Sequence, residues 1–262
     1  MLEQLKKGTF SIHSVFEHTM NAIYEDRLIT FGGADFPEGI NNIVTNISTF
    51  STLFEQGNII AIDRYIITVN DTLIMVPSTS IKEYNVYTDT YDINNTHIEN
   101  AHKLIEFIEH EEVLSVFRYD KTNTSQRYQF YKIATFLNTP NLETAKQIVG
   151  LGMGLTPIGD DVLTGYLFAR QALGNSVSWM DDIVEYAQNR TNNISLKSLI
   201  EVKNYQYTSF LINVLESFFE QNSLEITKKW INFGATSGAA LLTGFTQGIL
   251  EEEQSYETTQ SI

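Results

Sequence analysis

The sequence predicts an α+β fold: an N-terminal antiparallel β-rich half followed by a C-terminal helical half. Two observations carry this. Short runs of β-branched and aromatic residues, set apart by turn residues, fill the first third of the 262-residue chain. Beyond Asn95 the period changes, and Ile98, Ala101, His102, Ile105 and Ile108 recur at the three- and four-residue spacing of a helix. Strands grouped first and helices grouped later argue against an alternating parallel-sheet fold. A hydrophobic content of 42% is enough for a substantial core.

The strands are expected over residues 9–16, 21–24, 28–31, 58–62, 65–69 and 72–76. Glu25-Asp26, Gly32-Gly33, Asp63-Arg64 and Asn70-Asp71 supply turn chemistry between them, the last two tight enough for hairpins. Helices are expected over residues 95–111, 125–136, 142–149, 157–173, 179–188, 205–221, 225–233 and 237–250. The polar stretch 84–95 is the best boundary between the halves. The expected organisation is a β-rich subdomain over 1–90, a helical subdomain with a glycine-rich loop over 91–250, and an acidic tail, EEEQSYETTQSI, over 251–262. That tail lacks an apolar face and is expected to be disordered.

Composition removes several classes of function. With 17 Lys plus Arg against 32 Asp plus Glu, the net charge is −15, so nucleic acid and anionic membrane are poor partners. No apolar run approaches the roughly 20 residues of a membrane span, and the opening MLEQLKK lacks the apolar core of a secretion signal, so a cytoplasmic protein is expected. The absence of cysteine removes thiolate catalysis and cysteine-ligated zinc. His97, His102 and His110 share a helical region, but gaps of five and eight do not make a helical metal pair, and no metal site is expected. His13 is read as a sheet histidine and remains the best single titrating candidate.

The most informative segment is 150–170, GLGMGLTPIGDDVLTGYLFAR, with five glycines, four of them by position 159, and a Thr-Pro step and paired aspartates where an amphipathic helix begins. Thr156 suits a cap and Pro157 the first helical position, so the segment presents backbone N–H groups at a positive helix terminus. Phosphate or carboxylate suits such a site. Asp160 and Asp161 either complement the helix dipole or share the site with a cation or a substrate donor. Ile158, Val162, Gly165, Ala169 and Leu173 form one stripe bordered by Asp161, with Asp160 pointing away, which makes Asp161 the expected buried functional carboxylate. Gly174 is the expected C-terminal cap.

Other motifs fail their tests. Thr236-Ser237-Gly238 is neither a nucleophile elbow nor an S-x-x-K site and suits a cap. No Lys-Ser or Lys-Thr follows the last glycine of the loop, and the dinucleotide fingerprint is incomplete, so nucleotide binding is unsupported.

The loop-to-helix segment has an internal echo. Residues 159–166, GDDVLTGY, and 238–245, GAALLTGF, share G-x-x-[VL]-L-T-G-[YF] at an offset of 79 residues. A mid-helix glycine costs about 1 kcal/mol against alanine, so one at the same place in both copies implies a packing reason. The expectation is that the two helices cross at Gly165 and Gly244 and bring their N-terminal loops into one cleft.

These residues resemble the AllH-like family. GLGMGLTPIGDDVLTG is similar to its G-x-G-P-G-L-T-P-S-G-D-D signature, and LITFGGADFPEGI to its early strand, glycine turn and Pro-x-x-I segment. Residues 191–199 resemble its T-x-x-x-S helix start, and 234–244 its G-H-S-S-G-x-D-x-L-x-G stretch. The chain departs at Met153 for proline, Ile158 for serine, Ala235 for histidine and Ala240 for aspartate.

The resemblance implies a subunit of oxamate carbamoyltransferase, working with other subunits in allantoin and purine catabolism. That reaction passes a carbamoyl group between oxamate and phosphate, through oxalurate and carbamoyl phosphate. The expected ligand residues are Gly152, Gly154, Thr156, Gly159, Asp160, Asp161, Thr236, Ser237 and Gly238, with Asp161 the catalytic candidate and a small phosphate, carboxylate or carbamoyl compound as ligand. The alternative is a non-catalytic anion-binding or complex-completing module, favoured by Ala235 and Ala240, which leave the second loop without an ionisable group.

Overall fold

A computed structural model describes residues 7–25, 27–63, 66–69, 72–75, 87–110, 124–220, 224–232 and 236–260. The chain forms two compact units, one of residues 1–86 with 206–211 and the other of 87–205 with 212–262. The class is α+β, as the change of period implies.

The first unit is built on one seven-stranded sheet in the order β4-β3-β2-β1-β5-β6-β7. Its strands are β1 (Lys7–Val15), β2 (Thr19–Tyr24), β3 (Arg27–Gly32), β4 (Asn42–Val44), β5 (Ile59–Asp63), β6 (Ile66–Val69) and β7 (Thr72–Met75). Alternation puts Phe10 and Ile12 of β1 inside and Thr9 and Ser11 outside. Phe10, Met20, Phe31, Phe50 and Ile60 are fully buried, and the Phe10 and Phe31 rings meet edge to face at 6.0 Å. A bulge lies between Ile12 and Ser14, where the register against β2 slips. His13 sits at that irregularity, half-buried, with Nδ1 3.2 Å from the Ser14 hydroxyl.

All strand pairs are antiparallel except β3 with β4, which is parallel. β4 was not expected, because three residues carry no period. The antiparallel pairs β5–β6 and β6–β7 agree with the hairpin expectation, although Arg64, Asn70 and Asp71 lie outside the described residues, as does Asp26. The chain returns to this unit at 206–211, where Glu38 N–H donates to the Ser209 hydroxyl and Ser209 N–H to the Glu38 carbonyl.

The helices are α1 (Asn95–His110), α2 (Thr124–Asn138), α3 (Leu142–Lys146), α4 (Ile158–Ala172), α5 (Met180–Ala187), α6 (Asn193–Lys203), α7 (Ser209–Leu215), α8 (Leu224–Lys229) and α9 (Ser237–Gln260). A π-helical turn, Glu216–Glu220, continues α7, and a 3₁₀ turn, Trp230–Asn232, follows α8. The second unit packs around α4, which is buried on nearly every face. The expected single stripe is therefore too narrow a description, and it misplaces Asp160, which is 1% exposed. α4 closes with a Schellman motif: Gly174, at φ +70°, donates to the Gln171 carbonyl and Asn175 to the Arg170 carbonyl.

Three further differences have local causes. α6 is absent from the helices read by period, although the T-x-x-x-S resemblance marks its start and Asn192 caps it by accepting from Ile194 and Ser195 N–H. α7 starts four residues later than expected, after Tyr205 at φ +57°. α9 continues to Gln260, so the described part of the acidic tail has helical backbone where disorder was expected. Its acids are held by partners distant in sequence. Tyr166 donates to Glu251 at 2.5 Å, Arg170 Nη1 pairs with Glu252 at 2.6 Å, and His102 lies 3.0 Å from Glu253. Among the described residues no helix is long and apolar enough to cross a membrane.

Candidate functional site

The two helices of the internal echo, α4 and α9, run side by side in the same direction and touch at their glycines. A Cβ at Gly165 would overlap the Leu241 carbonyl, and one at Gly244 would overlap the Val162 carbonyl. Both the glycines and the carbonyls are related by the 79-residue offset, so the crossing is reciprocal, in the manner of a local two-fold. The copies agree in detail as well. Thr164 and Thr243 each donate a hydroxyl to the carbonyl four residues earlier, at 2.8 Å in both cases. The crossing brings the helix N-termini together as expected, with Thr156 Oγ1 2.7 Å from Ser237 Oγ.

Before α4 the backbone makes a run of left-handed glycines, Gly150, Gly152 and Gly154 at φ +70°, +120° and +114°. At Gly150 a side chain would also overlap the Arg190 carbonyl. Pro157 is the N-cap residue and makes no side-chain cap; Thr156, expected to cap, spends its hydroxyl on Ser237 instead. The Leu151 carbonyl takes the Gly159 N–H at 2.9 Å, and Asn192 Nδ2 donates to the Leu155 carbonyl at 2.9 Å. The tip of the loop is open. Met153 is 94% exposed, and a Cβ at Gly154 would meet nothing within 4 Å.

The two aspartates have separate tasks. Asp160 Oδ1 accepts from Gly150 N–H at 2.7 Å and Oδ2 from the Thr191 hydroxyl, with Ser195 facing the same carboxylate. Burial pushes its pKa up, and those donors oppose the shift. Asp160 is thus a structural tie between the glycine turn and the start of α6, which corrects the expectation that it points away. Asp161 is half-buried beside the Thr156 and Ser237 hydroxyls. Burial pushes its pKa up to about 7; the two hydroxyls lower it, and the Asp160 charge adds to the rise. Its Oδ2 is shielded from solvent and has no hydrogen-bond partner.

The structure therefore gathers Thr156, Asp161 and Ser237, with Gly152 and Gly154 on the loop beside them and Thr236 and Gly238 flanking Ser237 at the start of α9. It withdraws two expected ligand residues. Gly159 is buried with its Cβ position against the Ile148 carbonyl, and both Asp160 oxygens are committed within the protein. Ala240 is fully buried, whereas Ala235 lies outside the described residues. Thr191, Ser195 and Asn192 were missed as supports. The T-x-x-x-S pattern was the available signal, since its threonine and serine both face Asp160. Among the described residues no group of three or more His, Asp or Glu is arranged to hold a metal.

The fold and these paired helix starts define an α+β protein whose helical unit joins two related, glycine-notched helices at their N-termini. Residues 148–249, from the approach to the glycine loop into α9, are similar to the family described as oxamate carbamoyltransferase subunit AllH. Comparison with curated proteins and with solved structures finds no match.

Proposed function

We propose that the chain is a subunit of a carbamoyltransferase of the oxamate and oxalurate type, acting in allantoin and purine catabolism and binding a small anionic ligand between the Gly152–Thr156 loop and the start of α9. The observation that carries this reading is that the family match covers both loops, which the reciprocal crossing joins at Thr156 and Ser237. Loop N–H groups would hold the ligand oxygens and stabilise charge developing on a carbamoyl oxygen, while Asp161 faces the ligand. In the overall reaction oxalurate and phosphate exchange to oxamate and carbamoyl phosphate, the carbamoyl carbon leaving nitrogen for a phosphate oxygen.

Ala240 favours the second reading, a non-catalytic ligand-binding or complex-completing module. It occupies the position of the pattern's aspartate and is fully enclosed by packing. The test is phosphate-dependent cleavage of oxalurate by the purified chain with and without partner subunits, followed as carbamoyl phosphate formed. Turnover that requires this chain within the assembly supports the first reading; an assembly that turns over equally without it supports neither catalysis nor positioning by this chain.

A further inference from the structure

Asp161 Oδ2 needs an explanation. A carboxyl oxygen that has lost water and gained no hydrogen-bond partner is a costly arrangement in a folded chain. Packing does not require it, because Asp160, one residue earlier, has both oxygens satisfied in the same helix turn. The hydroxyls of Thr156 and Ser237 close beside Asp161, yet leave Oδ2 unpaired. That pair of hydroxyls joins the loop before α4 to the first residue of α9, and the adjoining loop tip is exposed and unpacked. Parting these hydroxyls is the movement that would admit a ligand to Oδ2.

Resting on the reading that a small carboxylate binds between these loops, we infer that Asp161 is its specificity-determining residue: Oδ2 accepts a ligand N–H, so the site takes a carboxylate bearing a carboxamide or ureido nitrogen and rejects an isostere that lacks the N–H. The ligand carboxylate lies toward the loop N–H groups and its nitrogen toward Asp161. A charge-assisted N–H···O⁻ bond supplies the discrimination, because the analogue leaves the buried acceptor unpaired.

The test is calorimetry on the full chain with oxamate and pyruvate, two monoanions of the same shape that differ by NH₂ against CH₃, at about pH 8 so that the carboxyl group is ionised. Oxamate should bind at least about 10-fold more tightly than pyruvate. Asp161→Leu should bring the ratio close to one, and Asp161→Asn, which keeps an acceptor of the same shape, should retain part of it. Equal affinities for the wild-type chain, or an unchanged ratio in a folded Asp161→Leu, overturn the inference and leave the loop reading intact. Binding of neither compound overturns both. The wild-type comparison decides the matter even if the leucine variant does not fold.

Discussion

At the residue scale, adjacent aspartates on one helix turn have come to opposite states through their neighbours. Asp160→Ala should cost about 1–3 kcal/mol, because Gly150 N–H and the Thr191 hydroxyl lose a buried acceptor; urea unfolding measures it. Asp161 predicts a pH dependence of unusual sign. Its folded pKa of about 7 lies above the ordinary 3.8, so the folded chain keeps a proton that the unfolded chain has released. Its contribution to stability is most favourable below the ordinary value and is lost as pH rises through that window toward the folded value. Asp161→Asn should remove this slope, leaving a variant that gains on the wild type as pH rises; parallel stability curves for the two proteins would refute the assignment. Helical geometry ranked the burial of the two aspartates the wrong way round: Asp160 is 1% exposed, whereas Asp161 is half-buried. The wheel assumes one buried face, and the Thr191 hydroxyl that holds Asp160 lies just before another helix that short-range pattern does not connect.

At the element scale, the crossing of α4 and α9 was legible because an unfavourable residue recurs at one place in two related helices. Gly165→Ala or Gly244→Ala forces a methyl onto a carbonyl that cannot yield without separating the helices, and each should cost about 1–3 kcal/mol or more. The same variants should weaken ligand binding at the loops, and a folded alanine variant with unchanged stability and binding would show that the helices tolerate separation. The far end of α9 was not legible. Glu251, Glu252 and Glu253 read as a solvated run because Tyr166, Arg170 and His102 stand 85, 82 and 151 residues away in sequence. The Arg170 and Glu252 side chains are only 12% and 14% exposed, so Arg170→Ala strands a carboxylate and should cost on the order of 3 kcal/mol. Hydrogen exchange should show faster exchange through the last turns of α9; unchanged protection there would mean that the pair does not anchor the segment.

At the scale of the whole molecule, grouped strands and grouped helices gave the α+β class, since each half satisfies its backbone in one regular way. Details escaped where elements are too short or borrow their partners: β4 has three residues, and residues 206–211 return to the sheet-bearing unit from within the helical stretch. The purified chain alone should show no appreciable carbamoyltransferase activity, because Ala235 and Ala240 stand where the family pattern carries histidine and aspartate; robust turnover by the unmodified chain would show that backbone donors and Asp161 suffice. The reciprocal glycine contact also limits how the helix pair moves. Each helix carries a notch that receives the other's backbone, so sliding by a turn would drive carbonyls into side chains, whereas a tilt about the notches keeps both seated. The pair is therefore a pivot with its fulcrum at Gly165 and Gly244. A tilt that spread the helix N-termini at Thr156 and Ser237 would press the opposite arms together where Arg170 meets Glu252, so the two ends of the pair are mechanically linked.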